Sequence, residues 1–153
     1  MIWELADEGR VAYVAQRLRR SDEMECRYAY GISAAEALQE AWWQSGIVHC
    51  ISADDGEPMG IAGLNGSVVW LLGTDALTAT PQRRATLALG GCRWTAHLLA
   101  EQRRCGLPPL LENWIWAGNV ESVRWLRRMG FVVETPQPMG RSCQLFSHAW
   151  RVD

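Results

Sequence analysis

Two side chains in this sequence can act as a general base, the group that takes a proton in many transfer reactions. They are His49, in the run IVHCISA, and Glu112, in the run PLLENWIWA. Both runs are apolar and have the composition of β-strands. A base must come within hydrogen-bond or one-water reach of the proton that it removes. Apolar residues alternate with His49, so a packed position on a sheet face is its more common role.

Other reactive arrangements are missing from the sequence. The five cysteines are scattered and show no spacing that could hold a metal, so we expect reduced thiols and no metal site. No serine, histidine and acid occur in an order typical of a catalytic triad. All 15 basic residues are arginine and the net charge is -2, which does not favour nucleic-acid binding.

The length and composition predict one domain over residues 1–153. A chain of this size with 48% hydrophobic residues can bury a single core. No apolar run approaches the roughly 18 residues needed to cross a bilayer, so we expect no membrane segment. The acidic start, MIWELADEGR, does not resemble a secretory signal.

The first half of the chain predicts a strand, two helices and a meander of three strands. The strand is IWEL, and Asp7 caps a helix with Val11, Val14 and Leu18 on its apolar side. Ser33 and Glu36 form a capping box for a second helix that ends near Gly46. The meander, read from its apolar runs and turn residues, covers residues 47–73.

The second half predicts two helices and three strands. Thr80 and Pro81 begin a long helix that continues to about Cys105, and the strand PLLENWIWA follows it. Asn119 caps the next helix, and the strands FVVETP and SCQLFSHAW end the chain. Gly90 and Gly91 lie inside the long helix at a cost of about 1 kcal/mol each, which predicts a close approach by another element there.

This order of elements, β-α-α-β-β-β-α-β-α-β-β, resembles the GCN5-related N-acetyltransferase superfamily. The residues that carry the resemblance are Asn119, Ser122, Gly130 and Phe131. The resemblance implies a mixed α/β (α+β) domain with a mostly antiparallel sheet of six to seven strands and about four helices. An asparagine-capped amphipathic helix that ends at glycine would show the same residues without any shared function.

The C-terminal half also resembles the acetyltransferase-like internal virion or morphogenesis proteins of short-tailed, T7-like bacteriophages. The residues concerned are Trp114 to Trp116, Gly118 with Asn119, and the run Gln144-Leu145-Phe146. The resemblance implies a virion-associated protein that binds other phage structural proteins or itself. It would act in the host cytoplasm during assembly and in the virion if it is retained there.

The superfamily resemblance implies specific groups for acetyl-CoA. A glycine-rich loop at the start of the long helix would hold the pyrophosphate, but this chain has TPQRRAT there. Contacts would have to come from Arg83, Arg84, Ala85 and Asn119. The two arginines can equally be solvated surface charge.

A tyrosine lies seven residues after the asparagine in the superfamily pattern, and this chain has Leu126 there. Leu126 is in register with Val123 and Met129, which predicts a packing role. The bacteriophage resemblance, together with these departures from the superfamily pattern, implies a virion or morphogenesis protein on a degenerate fold that needs no cofactor and contacts partners through Trp42, Trp43 or Trp125. The alternative is an active acetyl-CoA-dependent N-acetyltransferase.

Overall fold

A central sheet organises the protein in a computed structural model that describes residues 1–140 and 142–153. Eight strands form this sheet within the described residues. They are β1 (Ile2–Leu5), β2 (Ile47–Ser52), β3 (Pro58–Asn65), β4 (Val68–Gly73), β5 (Leu110–Trp116), β6 (Val132–Val133), β7 (Gln137–Met139) and β8 (Gln144–Val152).

The strand order is β1-β2-β3-β4-β5-β8-β6, and β7 also pairs with β8. Neighbouring strands are antiparallel except β4 and β5, which are parallel. The predicted fold class, a mixed chain with a mostly antiparallel sheet, is confirmed.

The strand that the sequence did not predict is β7, in the loop before β8. Pro138 is tolerated in β7 because that strand pairs on one side only.

Helices begin where side-chain caps were predicted. The caps Asp7, Ser33, Thr80 and Asn119 are all confirmed, since each side chain accepts a hydrogen bond from the backbone N–H three residues later. The five α-helices of the described chain are α1 (Glu8–Ala15), α2 (Arg20–Tyr30), α3 (Ala34–Gln44), α4 (Pro81–Arg104) and α5 (Val120–Arg128); a short 3-10 helix covers Asp75–Thr78.

Helix α2 was not predicted, and the sequence prediction of the first helix was too long. That helix ends at Ala15, and Leu18 pairs with Thr74 in an isolated bridge instead of extending the apolar side of α1. The α2 segment, RSDEMECRYAY, lacks a side-chain cap, and its buried face holds Asp22 together with Cys26. A helix that buries a carboxylate has a weak apolar stripe, so periodicity does not reveal it.

Helices cover both faces of the sheet, and a hydrophobic core lies under each layer. The larger core includes Leu87 and Leu98 of α4 with Leu111 of β5, and the smaller core includes Val14 of α1 and Leu38 of α3. None of the helices in the described residues has the length and apolar character needed to span a membrane.

The predicted close approach at Gly90 and Gly91 is confirmed. A Cβ atom at Gly90 would collide with Nε1 of Trp3, and one at Gly91 would collide with Sδ of Met129. The Gly91 position would also bring a Cβ within 3.0 Å of the Trp125 ring. Glycine at these positions lets α4 pack directly against β1 and α5.

Strands β4 and β5 meet at one end and separate at the other. Their paired register consists of Val68 opposite Glu112. Next to this pair, Nδ2 of Asn113 donates a hydrogen bond of 2.8 Å to the Val69 carbonyl. Past this point the described strands share no further register, and the sheet has a gap in its middle.

Candidate functional site

A cavity of about 70 Å³ occupies the gap between β4 and β5. Residues 69–72 of β4 and 113–115 of β5 form its sides. Its remaining walls come from both helix layers: Asp22 and Glu25 belong to α2, Trp94 and Thr95 to α4. The cavity therefore extends between the two layers through the sheet.

Burial raises the pKa of both carboxyl groups in this wall, Asp22 and Glu25. The pKa of Glu25 rises to about 7, and the negative charge of Asp22 adds to the rise. A hydrogen bond of 2.9 Å from Nδ2 of Asn119 opposes the shift without cancelling it. A carboxyl group with this pKa can take up and release a proton near neutral pH.

A buried ion pair supports the α2 segment that carries Glu25. Nε of Arg19 donates a 2.9 Å hydrogen bond to Oδ2 of Asp22, and the same oxygen accepts one of 2.8 Å from the Gly73 amide. Nη2 of Arg19 also donates to Oγ of Ser122 at 3.1 Å. These contacts connect the start of α2 with the end of β4 and with α5.

Asn119 lines the cavity and makes side-chain contacts with two helices. Its Oδ1 atom accepts a hydrogen bond of 3.4 Å from the Ser122 amide and so caps α5. Its Nδ2 atom donates to Glu25. The buried amide thus contacts α5 and α2 at once and fixes the carboxyl group of Glu25.

Three arginines line a separate pocket of about 300 Å³ between α4 and α5. They are Arg84 near the start of α4 and Arg124 and Arg128 on α5. Trp125 lines both this pocket and the cavity in the sheet, so the two spaces are adjacent. Glu121 also lines the pocket, so three guanidinium groups lie near one carboxylate, and the excess positive charge suits anionic groups such as phosphate.

A groove of about 400 Å³ lies on the other side of the cavity, between α2, α3 and the separated strands. It shares Glu25, Trp70 and Trp114 with the cavity. Glu40 of α3 is the second carboxyl group in its lining. The three spaces together run from an arginine-lined end, through the sheet, to a carboxylate-lined end.

Neither base predicted from the sequence lines the cavity or the groove. Glu112 lies at the joined end of β4 and β5, where its two oxygens contact Oγ of Ser67 at 2.7 Å and Nε2 of His148 at 3.0 Å. These hydrogen bonds, led by that of Ser67, lower the pKa of Glu112. His49 accepts a 3.2 Å hydrogen bond from Nε1 of Trp94, and burial followed by the charge of His97 lowers its pKa.

The residues predicted to bind the cofactor at the start of α4 separate in the structure. Arg84 lines the arginine pocket and also donates to the Thr78 carbonyl at 2.8 Å. Arg83 donates to the Ala76 carbonyl at 2.8 Å and lines a different depression, beside Asp54 and Asp55. Ala85 is exposed and lines neither the arginine pocket nor the cavity.

The first turn of α4 has few free amide donors. Pro81 has no N–H, and the Arg83 amide already donates to Oγ1 of Thr80 at 3.1 Å. Leu126, at the position of the superfamily tyrosine, lines the cavity and packs against the larger core, which confirms its predicted packing role.

Sequence reasoning missed Glu25, Arg124 and Arg128. Glu25 lies in a helix that the sequence did not predict, as one of three acids in the run SDEMEC. The two arginines lie on the helix that Asn119 was predicted to cap, and neither was predicted to belong to a site. A signal for them existed in the sequence, because Arg124 and Arg128 are four residues apart and therefore share a face of that helix.

No protein-family model and no curated protein matches this chain. Solved structures do match it. The yncA protein of Salmonella typhimurium, solved with acetyl-CoA, is 16% identical with a TM-score of 0.60, and the match covers 99% of this chain and 93% of that one. Spermidine N-acetyltransferase from Vibrio cholerae, in complex with CoA and spermine, is 11% identical with a TM-score of 0.65 over 99% and 94% of the two chains.

Ribosomal-protein-alanine N-acetyltransferase from Brucella melitensis is 14% identical with a TM-score of 0.65, and the match covers all of both chains. Similarity at this level of identity shows the fold alone. The chain has the fold of GCN5-related N-acetyltransferases, as the order of its elements predicts.

Proposed function

We propose that the protein is an acyl-CoA-dependent N-acyltransferase in which Glu25 takes the proton of the acceptor amine. The observation that carries this proposal is the cavity between β4 and β5, which has arginines beyond one end and Glu25 in its wall. Two of the similar structures were solved with acetyl-CoA or CoA. Their ligands support acetyl-CoA as the acyl donor here.

The residues present fit such a donor. Coenzyme A carries phosphates at one end, and Arg84, Arg124 and Arg128 offer positive charge for them. Its pantetheine arm contains amide carbonyls, which accept hydrogen bonds. Nε1 of Trp125 is buried and has no partner within the described residues, although Trp125 lines both the pocket and the cavity. Orphan buried donors are rare in folded proteins, so this one is available to a ligand.

The chain's own residues supply the proton chemistry. Acetyl-CoA, when bound, supplies an acyl thioester, which reacts only with an unprotonated amine. Glu25, with a pKa of about 7, is partly ionised at neutral pH and can accept the proton that the amine loses. Asp22, the other carboxyl group in the cavity wall, is paired with Arg19. As the N–C bond forms and the thioester C–S bond breaks, the amine nitrogen would lose its proton to Glu25, and the CoA thiolate would leave as the free thiol with a proton from Glu25 or from water, because Leu126 has none to give.

The test is Glu25→Gln, which keeps the size of the side chain and removes the base. Transfer from acetyl-CoA to a panel of primary amines, measured by thiol release, should fall by about 10² to 10⁴. Acetyl-CoA should still stabilise the variant, by about 2.7 kcal/mol at 100 times its dissociation constant. Glu112→Gln, which alters a carboxylate outside the cavity, should retain the rate.

Two results would contradict the proposal. Thermal unfolding that is unchanged by millimolar acetyl-CoA would exclude the donor. A full rate in Glu25→Gln, with acetyl-CoA bound, would exclude Glu25 as the base.

A virion-associated or morphogenesis protein, present in the host cytoplasm during assembly, is the second candidate. One observation favours a protein partner: Trp43 of α3 is 74% exposed. Trp42 and Trp125, the other tryptophans proposed for such contacts, pack against the two cores. Co-purification with phage particles that is lost in Trp43→Ser would support this candidate, and equal recovery of the variant would count against it.

A further inference from the structure

We infer that the acceptor is a primary ammonium compound with a second positive charge, bound in the groove between α2 and α3. The inference rests on the proposed transfer reaction and adds the class of its acceptor. The groove meets the cavity at Glu25, so an amine bound in the groove is directed toward the base. Its volume of about 400 Å³ is in the usual range for small-ligand pockets.

The charged side chains that line the groove, among the described residues, are both acidic. Glu25 lies at its inner end, and Glu40 of α3 lies in its lining as an exposed carboxylate. Neither arginine nor histidine occurs among the described residues that line the groove. Glu40 makes no ion pair with any described residue, so its charge is available to a ligand. Two carboxylates without a cation favour a ligand with two positive charges and disfavour an anionic acceptor.

Aromatic side chains give the groove a second way to recognise cations. Tyr30, Trp70 and Trp114 line it. Nε1 of Trp70 donates to Oγ of Ser45 at 2.9 Å, and the Trp114 ring packs against His148 with their centres 5.1 Å apart. Both tryptophans are therefore held in place before a ligand arrives. Aromatic rings attract ammonium groups through cation–π interactions and also bind the alkyl chain between two charges.

Glu25 and Glu40 would therefore bind the two ammonium groups of the ligand in different roles. The ammonium that reaches Glu25 is the one that loses its proton and is acylated. The second ammonium remains charged and is held near Glu40. A monoamine occupies only the inner part of the groove and lacks the second contact, whereas an amino acid with a terminal carboxylate is repelled there.

Calorimetry without acetyl-CoA tests the inference independently of turnover. The ligands are 1,6-diaminohexane, hexylamine and 6-aminohexanoate, which share the chain length and differ in the terminal group. The diamine should bind at least about tenfold more tightly than hexylamine, which corresponds to about 1.4 kcal/mol. The aminohexanoate should bind most weakly. Glu40→Gln should remove most of the advantage of the diamine and leave hexylamine binding unchanged.

Glu8→Gln is the matched control, because it removes an exposed carboxylate from α1 outside the groove. It should bind the three ligands as the parent protein does. A short peptide with lysine next to arginine is a further ligand for the same experiment, because it also carries a primary ammonium group and a second positive charge. Tighter binding of the peptide identifies a polypeptide source, and tighter binding of the diamine identifies a small-molecule source.

Equal affinity for hexylamine and the diamine would overturn the inference, as would an undiminished preference in Glu40→Gln. These outcomes are distinct from a failure of the proposed function, which appears as a missing response to acetyl-CoA. A protein that binds acetyl-CoA and acetylates hexylamine and the diamine equally well would retain the function and lose the acceptor class.

Discussion

Asn119 and Glu25, 94 residues apart in sequence, are joined by a hydrogen bond of 2.9 Å from Nδ2 to Oε2. The same asparagine caps α5 through its other side-chain atom. A residue that looks like an ordinary helix cap in the sequence therefore also sets the protonation of a carboxyl group on another helix. Because the hydrogen bond favours the ionised form of Glu25, it holds the pKa below the value that burial alone would give.

Asn119→Ser should raise the pKa of Glu25. Serine also caps helices well, so the variant should keep the cap, while loss of the hydrogen bond to Glu25 should cost about 1 to 3 kcal/mol of stability. The pH profile of kcat/KM, which should rise through about 7 in the parent protein as Glu25 ionises, should move to higher pH. An unmoved profile would mean that Asn119 is only a cap.

The stability of the protein should depend on the ionisation of Glu25. Its pKa of about 7 lies above the unfolded value of 4.5, so the folded state retains the proton that the unfolded state loses between these two values. Stability due to this group should therefore fall as the pH rises from about 4.5 to about 7, by a total on the order of 3 kcal/mol.

Glu25→Gln should abolish this dependence. Urea unfolding of the variant and the parent at pH 4.5 and pH 8 should show that the variant gains stability relative to the parent at the higher pH. A constant difference between the two proteins would show that Glu25 has an ordinary pKa.

Arg128 and Arg127 give a matched test of the arginine pocket. They are neighbours near the end of α5, but only Arg128 lines the pocket between α4 and α5. Arg128→Gln should weaken acetyl-CoA binding by about 10- to 150-fold, because a hydrogen bond to a charged group contributes about 1.5 to 3 kcal/mol. Arg127→Gln should have little effect. Equal losses would indicate a general charge effect and not a pocket.

Gly91→Ala should destabilise the protein by about 1 to 3 kcal/mol, although alanine favours a helix. The new methyl group would contact Sδ of Met129 and the Trp125 ring, and the ring cannot move aside as easily as the methionine tip. Gly46→Ala is the control, because no atom lies within 4 Å of its added Cβ. Thermal unfolding of both variants distinguishes a packing constraint from a general effect of removing glycine.

The sequence predicts the parts of the fold that depend on neighbouring residues. Caps such as Ser33 and Thr80 act over three residues, so their helices begin where expected. The α2 segment depends on distant partners, because the buried Asp22 accepts a hydrogen bond from the Gly73 amide and its ion-pair partner Arg19 donates one to Ser122. Local patterns do not contain that information.

In the candidate site, too, the sequence predicts residues placed by local features and misses those placed by distant contacts. Arg84, at a recognisable helix start, was identified as a cofactor contact and lies in the arginine pocket. Glu25 reaches the cavity only because α2 packs over the gap between β4 and β5. Glu112 and His49 were selected for their residue type, and both satisfy their hydrogen bonds elsewhere on the sheet.

Within the described residues, β4 and β5 are paired only where Val68 lies opposite Glu112. The sheet therefore has two parts, β1 to β4 and β5 to β8, which are separated by an opening beyond this pair. Arg19 and Asp22 connect the two parts through hydrogen bonds to Ser122 and the Gly73 amide. A ligand bound in the opening would contact both β4 and β5 and link them where they are not paired with each other. Ligand binding should therefore slow hydrogen–deuterium exchange of the backbone amides along the facing edges of β4 and β5.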